Sequence, residues 1–164
     1  MDAIEAIAKR TSVRAYKPQP LGREVLQELV DCGNRAPSAM GVHPWHFVVV
    51  TGRDALRKLG DATDHGKFIA DAAACIVVLC EDGKYFLEDG CAAVENILIA
   101  VAARGLGACW VAGDKKPYAE RIPELLGAPK THRLVALLPV GFPATAPKPK
   151  KKPGLDQVLH WERY

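Results

Sequence analysis

Apolar and polar residues alternate along the chain in stretches that change period several times. Residues 2–9 read as a short helix, because Asp2 can cap it with Glu5 three positions later while Ile4, Ile7 and Ala8 form an apolar stripe. The segment RTSVRAYKPQP loses that period, and Pro18 and Pro20 force an extended connection. Over residues 23–33, Val25, Leu26, Leu29, Val30 and Cys32 return at helical spacing. Residues 35–44 are a loop on composition, carrying Pro37, Gly41 and Pro44, and they deliver Trp45 into HFVVVT, which reads as a buried strand. A helix is expected over 54–62, then a second strand rich in β-branched residues over 75–80.

Residues 87–104, LEDGCAAVENILIAVAAR, place apolar side chains on every face of a helix, with alanines at 92, 93, 100, 102 and 103. A helix apolar all round is buried on all sides. A chain this short seldom encloses such a helix with one core, so part of its surface is expected to meet a second subunit. Gly105 is a natural stop. A third strand, ACWVAG, a helix over 117–126 with Pro117 in its first turn, and a fourth strand over 134–140 follow. The end, FPATAPKPKKKPGLDQVLHWERY, alternates proline with lysine and predicts an extended arm up to about Leu155. The pattern as a whole predicts an α+β sheet sandwiched by helices, with residues 1–143 forming one domain and residues 144–164 an arm belonging to it.

With 164 residues, 49% of them hydrophobic, one domain is the expectation. No window holds the roughly 18 apolar residues of a membrane span, and the start, MDAIEAIAKR, has no apolar signal core, so a soluble, cytoplasmic protein away from membranes is expected. The net charge of +3 is local: Lys148, Lys150, Lys151 and Lys152 carry the excess, and the remainder is slightly acidic. Such a patch suits either a phosphate or solubility, and without interleaved aromatics or a broad basic face no nucleic acid is expected. The five cysteines, odd in number and without a C-x-x-C pair, read as reduced, buried small hydrophobes.

Candidate chemistry begins at Arg10-Thr11-Ser12-Val13-Arg14. In an extended segment alternate residues share a side, so two guanidiniums and a hydroxyl converge, a donor set suited to a phosphate dianion. Two further motifs follow, Ala36-Pro37-Ser38-Ala39-Met40-Gly41-Val42-His43-Pro44-Trp45-His46-Phe47 and Gly105-Leu106-Gly107-Ala108-Cys109-Trp110. His43 and His46 flank Pro44-Trp45, but their spacing offers no second ligand pair and no carboxylate or cysteine stands near in sequence, so no metal site is expected. His65, His132 and His160 are isolated and read as solvated.

Taken in order, the three motifs resemble the nitroreductase family in a short form, whose pattern is R-x-S-x-R, then P-S-x-x-N-x-Q-P-W-x-F, then G-L-G before a tryptophan-bearing strand. The resemblance covers nearly the whole chain, since Gly141-Phe142-Pro143 and the basic, aromatic-ended tail also fit. It implies a central mixed sheet sandwiched by helices, in a homodimer with an extended C-terminal arm and FMN held at the interface. Arg10, Ser12 and Arg14 would then bind the phosphate and ribityl side, and Pro37 and Ser38 of the other subunit would line the second face. The backbone of Trp110, Ala112 and Gly113 would pass close to the flavin ring, and Lys150 and Lys152 would close on the phosphate. Lys67 falls one position from the family's second basic residue and reads first as a solvated lysine. Gly41 and His43 replace the family's asparagine and glutamine, a departure that bears on substrate preference, and Ala112 stands where many members carry an acid.

The implied activity is ping-pong hydride transfer from NADH or NADPH through the flavin N5 to a small-molecule acceptor such as a nitro-aromatic or quinone. No residue need act as catalyst, although His43 could supply a proton, and the protein contributes binding, orientation and electrostatic tuning. The alternatives are a same-fold flavin enzyme with another reaction, either flavin fragmentation or reductive dehalogenation, and a nonenzymatic flavin-binding module.

Overall fold

The structure is a computed structural model and describes residues 1–149 and 151–164. In chain order its elements are α1 (Ala3–Lys9), α2 (Arg23–Asn34), β1 (Trp45–Val50), α3 (Arg53–Ala62), β2 (Ala74–Glu81), α4 (Phe86–Ala103), β3 (Gly107–Ala108), β4 (Val111–Ala112), α5 (Arg121–Leu125) and β5 (His132–Gly141). Single 3₁₀ turns occupy Ala39–Gly41, Lys67–Asp71 and Leu155–Gln157.

The strands lie in the order β1-β2-β5-β3, with β4 also on β5, and all these pairs are antiparallel. Among the described residues the parallel component is a single bridge between Ser12 and Ala108. β2 explains the architecture. Its successive side chains point to opposite faces, so Ile76, Val78 and Cys80 join Ala93, Val94 and Ile97 of α4 in one core, while Cys75, Val77 and Leu79 join Leu56 and Leu59 of α3 and Ile122 of α5 in another. An unbroken apolar run such as ACIVVLC is what a strand covered on both faces requires. The fold is therefore α+β, a sheet between two helical layers.

Four elements differ from their sequence-based expectation. β1 is an edge strand and only half-buried, because nothing pairs with its outer side among the described residues. The strand over 108–113 breaks into β3 and β4 around Cys109-Trp110, which lie opposite Pro139 of β5, a residue with no amide to donate to the ladder. The helix over 117–126 shrinks to α5, preceded by a tight turn in which the Ala119 amide bonds the Lys116 carbonyl. In α1 the expected stripe is reversed: Ala6 is fully buried, while Ile4 is 76% and Ile7 53% exposed. The small side chain of Ala6 is the face that can approach α4 closely, which turns both isoleucines outward.

α4 is enclosed on one side only. Ala93, Val94, Ile97 and Leu98 are buried, whereas Leu87, Ala92, Glu95, Ile99 and Ala102 remain half-exposed. The stripe left half-exposed is thus this second one, and Ala93 belongs to the core.

Candidate functional site

Arg10 ends α1, and from there the chain runs extended along the outer side of β3. The Val13 amide bonds the Ala108 carbonyl at 2.8 Å, Val13 is buried, and Ser12 and Arg14 on either side of it are exposed on the opposite face. The alternation expected of this motif is therefore present. Gly107 makes it possible, since a Cβ there would stand 2.7 Å from the Val13 Cβ. The segment is clamped further on by the buried Tyr16 hydroxyl, whose proton is shared between the carbonyls of Val13 at 2.7 Å and Pro139 at 3.0 Å.

Arg10 Nε lies 3.5 Å from Glu95 Oε1 of α4, a partner that sequence reasoning did not find. Arg14 has no carboxylate partner among the described residues. It reaches instead, with Ser12, to the Cys109 thiol, where burial pushes the pKa up and the guanidinium and hydroxyl only partly offset it. Burial likewise raises the other four thiols, Cys80 to about 12, so all five remain protonated small hydrophobes near neutrality.

On the same sheet edge, the amides of Cys109 and Gly113 point inward to the carbonyls of Pro139 and Val135. The intervening even-numbered amides, those of Trp110 and Ala112, must then point away from β5, as strand geometry requires. The Ala112 carbonyl, which points the same way, accepts the Tyr118 hydroxyl at 2.7 Å. Of Trp110, Ala112 and Gly113, the first two thus offer outward-facing amides, while Gly113 is buried with its amide committed.

The loop at 37–43 is built separately. Met40, Gly41 and His43 have φ of 54°, 65° and 51°, the left-handed region that glycine and asparagine tolerate best. That geometry suits the glycine at position 41. The Ser38 hydroxyl accepts the His43 amide at 3.0 Å, and the Ala39 amide donates to Asp89 Oδ1 at 2.8 Å. Asp89 is only 7% exposed; in sequence it looks like an ordinary acid near a helix start. Pro37, Gly41 and His43 are exposed, and the His43 ring meets Trp45 edge-on at 5.3 Å between centroids. Trp45 is itself held by Asn34 Oδ1 at 3.0 Å.

Within one subunit these two parts lie apart along α4. The loop is tied to Asp89, whereas Arg10 is tied to Glu95 and shares a cavity of about 320 Å³ with Leu98, Ala102, Pro147 and Pro149. Positions 95–102 lie roughly 9–20 Å further along the helix from Asp89 at about 1.5 Å per residue. The arm prolines in that cavity bring the start of the lysine tract beside Arg10. Lys152 is exposed, and Lys150 lies outside the described residues. Lys67 is turned aside, its ammonium 3.1 Å from the Asp61 carbonyl and 3.6 Å from the Asp61 carboxylate. Strand pairing also brings His46 and His132 together, with ring centroids 4.4 Å apart, a neighbourhood that linear spacing hides.

The family profile described as Nitroreductase family matches residues 7–82 and 65–142. A protein of Methanothermobacter thermautotrophicus provisionally named NADH dehydrogenase/NAD(P)H nitroreductase is 31% identical over all of this chain and 88% of its own length. Iodotyrosine deiodinase 1 of Rattus norvegicus is 27% identical over 94% of this chain and 67% of its own. A crystal structure from Bacteroides thetaiotaomicron with the same provisional name superposes with a TM-score of 0.93 at 32% identity, covering 99% of this chain and 98% of that one. An FMN-dependent nitroreductase of Clostridium difficile shares the fold, with a TM-score of 0.90 at 24% identity, covering 98% of this chain and 99% of that one. Among the described residues no helix is long and apolar enough to cross a membrane.

Proposed function

We propose, from the premise that the chain belongs to the nitroreductase family, that it is an FMN-dependent oxidoreductase passing reducing equivalents from NADH or NADPH to a small acceptor of the nitro-aromatic or quinone type. The observation that carries this reading is the composition of one sheet edge. There Ser12 and the carboxylate-free Arg14 stand exposed beside the outward amides of Trp110 and Ala112. That donor set fits a flavin mononucleotide, with cationic and hydroxyl donors for the phosphate and neutral amides for the polar rim of the ring.

Bound there, the flavin supplies two-electron chemistry, accepting and donating a hydride. The chain's own residues bind and orient. Arg10, Ser12 and Arg14 hold the phosphate and ribityl side, Arg10 kept in place by Glu95. Lys152 would close over the phosphate from the arm, and the resemblance implies the same role for Lys150. Trp110 and Ala112 donate amides toward the ring without any side chain that ionises, so the ring is tuned by fixed dipoles. Pro37 and Ser38 come from the second subunit, as the resemblance to the family implies, on a loop anchored at Asp89. The homodimer is thus part of the site. His43, exposed at that loop, would hand a proton to the acceptor.

One feature favours a second acceptor class on the same scaffold: Gly41 offers no side chain amide, and the resemblance to a deiodinase leaves reductive dehalogenation as that class. The test is direct. Protein purified without added flavin is expected to be yellow, to release FMN and not FAD, and to bleach when NADH or NADPH is added without oxygen, regaining colour with a nitro-aromatic or quinone. Colourless protein that refuses FMN overturns the proposal, and recolouring only by halogenated phenols selects the second reading.

A further inference from the structure

One end of the sheet gathers three potential metal ligands that lie far apart in sequence. His46 is the second residue of β1, Glu81 the last of β2 and His132 the first of β5, and Glu81 and His132 are paired in register. All three side chains share a face. His46 alternates with Val48 and Val50, Glu81 with Leu79 and His132 with Leu134, each leading into the core under α3 and α5.

We propose that His46, Glu81 and His132 form a binding site for a borderline divalent transition ion, with Zn²⁺ as its representative. One ligand atom from each residue lies within 4.8 Å of the other two. His46 Nε2 is 3.4 Å from Glu81 Oε1. Metal bonds of about 2.0–2.1 Å in tetrahedral geometry set neighbouring ligand atoms about 3.4 Å apart, so this pair already spans one edge of the polyhedron. Closing the third corner requires only a modest rotation of partly exposed side chains. His132 is held in orientation by its Nδ1, 3.2 Å from Thr131 Oγ1, which leaves Nε2 as the ligand. The neighbouring cation does not compete for Glu81, because Arg133 is engaged with Asp82 and Asp114.

Two imidazoles and one carboxylate select a zinc-like ion over Mg²⁺ or Ca²⁺, which prefer oxygen donors. The partial exposure leaves the fourth position to water. The consequence is mechanical: the ion would add a cross-link to the ends of β1, β2 and β5, which the sheet ladder already pairs. The tie lies where the 37–44 loop enters β1, next to the bond from the Glu81 amide to the Pro44 carbonyl at 2.9 Å. None of the three ligands is a residue assigned to the flavin, so the site does not depend on that reading.

The experiment uses tag-free full-length protein with whatever flavin it carries, stripped with EDTA and titrated with Zn²⁺ by calorimetry and thermal unfolding. One ion per subunit is expected, with the unfolding midpoint raised by roughly 5–10 °C at about a hundredfold excess over Kd. Co²⁺ should give the intense visible bands of a four-coordinate centre. His46→Ala, Glu81→Gln and His132→Ala should each weaken binding at least tenfold while leaving flavin content unchanged. Absence of stoichiometric binding, or binding that survives His132→Ala undiminished, overturns the proposal. So does binding that is abolished by alkylating the cysteines in otherwise folded protein.

Discussion

The side of the sheet under α3 and α5 and the segments around α1, the 37–43 loop and the arm are built on opposite plans. On the first, Leu56, Leu59, Ile69, Ile122 and Leu137 are at most 1% exposed, and the subunit needs nothing more to close that core. On the second, Ile4, Ile7, Met40, Val42, Leu155 and Trp161 all stand open, Trp161 at 79%. The first is closed within the subunit, and the second leaves apolar surface that, on the proposed homodimer, the second subunit would cover. The largest expected effect separates them. Ile4→Glu combined with Ile7→Glu removes two side chains worth about 1.5–3 kcal/mol each on burial, so dimer dissociation should rise roughly 10²–10⁴-fold with loss of flavin. Unfolding of the isolated subunit should hardly change, because both positions are exposed in it. Ile122→Ala should do the converse, costing about 2–5 kcal/mol of stability with the dimer constant unaltered. Sedimentation and denaturant unfolding on both variants check the contrast, and a flavin-loaded dimer of the double glutamate variant would erase it.

The same contrast explains how much of the molecule was legible from its sequence. The finished side was, because α3, β2 and β5 depend on local period and on continuous apolar runs, and each was placed within one or two residues. α4 was recognised as all-apolar, but not which half of it stays open, because Ala92 and Ala93 are identical in type and differ only in what packs against them. WHFVVV in β1 reads like a central strand, and only the sheet order makes it an edge. The break at Cys109-Trp110 depends on Pro139, some thirty residues away. Around the candidate site, the alternation of Ser12, Val13 and Arg14 was visible, because it is a property of five consecutive residues. The anchors were not: Asp89 and Glu95 look like ordinary helix acids until the loop and Arg10 are folded onto them.

Asp89 sharpens the comparison inside the unfinished side, since it asks whether the 37–43 loop is held in shape before any partner arrives. Asp89→Ala leaves the part-buried Ala39 amide without its acceptor, next to three residues in left-handed conformation that the rest of the loop must sustain. The expected loss in flavin affinity is about 1–3 kcal/mol, the range for an unsatisfied donor. Asp89→Asn retains an acceptor oxygen and should recover most of it. Flavin titration of both variants alongside their unfolding midpoints distinguishes a positioning role from a merely structural one. A drop in stability with unchanged flavin affinity would show the anchor to be structural only.

The smallest expected effect lies on the arm, where the boundary between the two plans is least defined. Pro147 and Pro149 line the cavity beside Arg10, and Lys152, three residues beyond Pro149, is exposed. A solvent-exposed ammonium such as that of Lys152 is worth little until it meets a phosphate, and then contributes one charge-assisted hydrogen bond, still screened by water. Lys152→Ala should therefore weaken FMN binding only about three- to tenfold, and the loss should shrink as salt is raised. Riboflavin, which lacks the phosphate, provides the decisive control, because it reports the ring and ribityl contacts alone. Equal riboflavin affinity in mutant and parent, with FMN weakened, places Lys152 on the phosphate. An equal loss for both ligands would mean that the arm shapes the pocket without touching the phosphate, and no loss for either would leave the lysines as a solubilising run on an arm whose contribution is its apolar end.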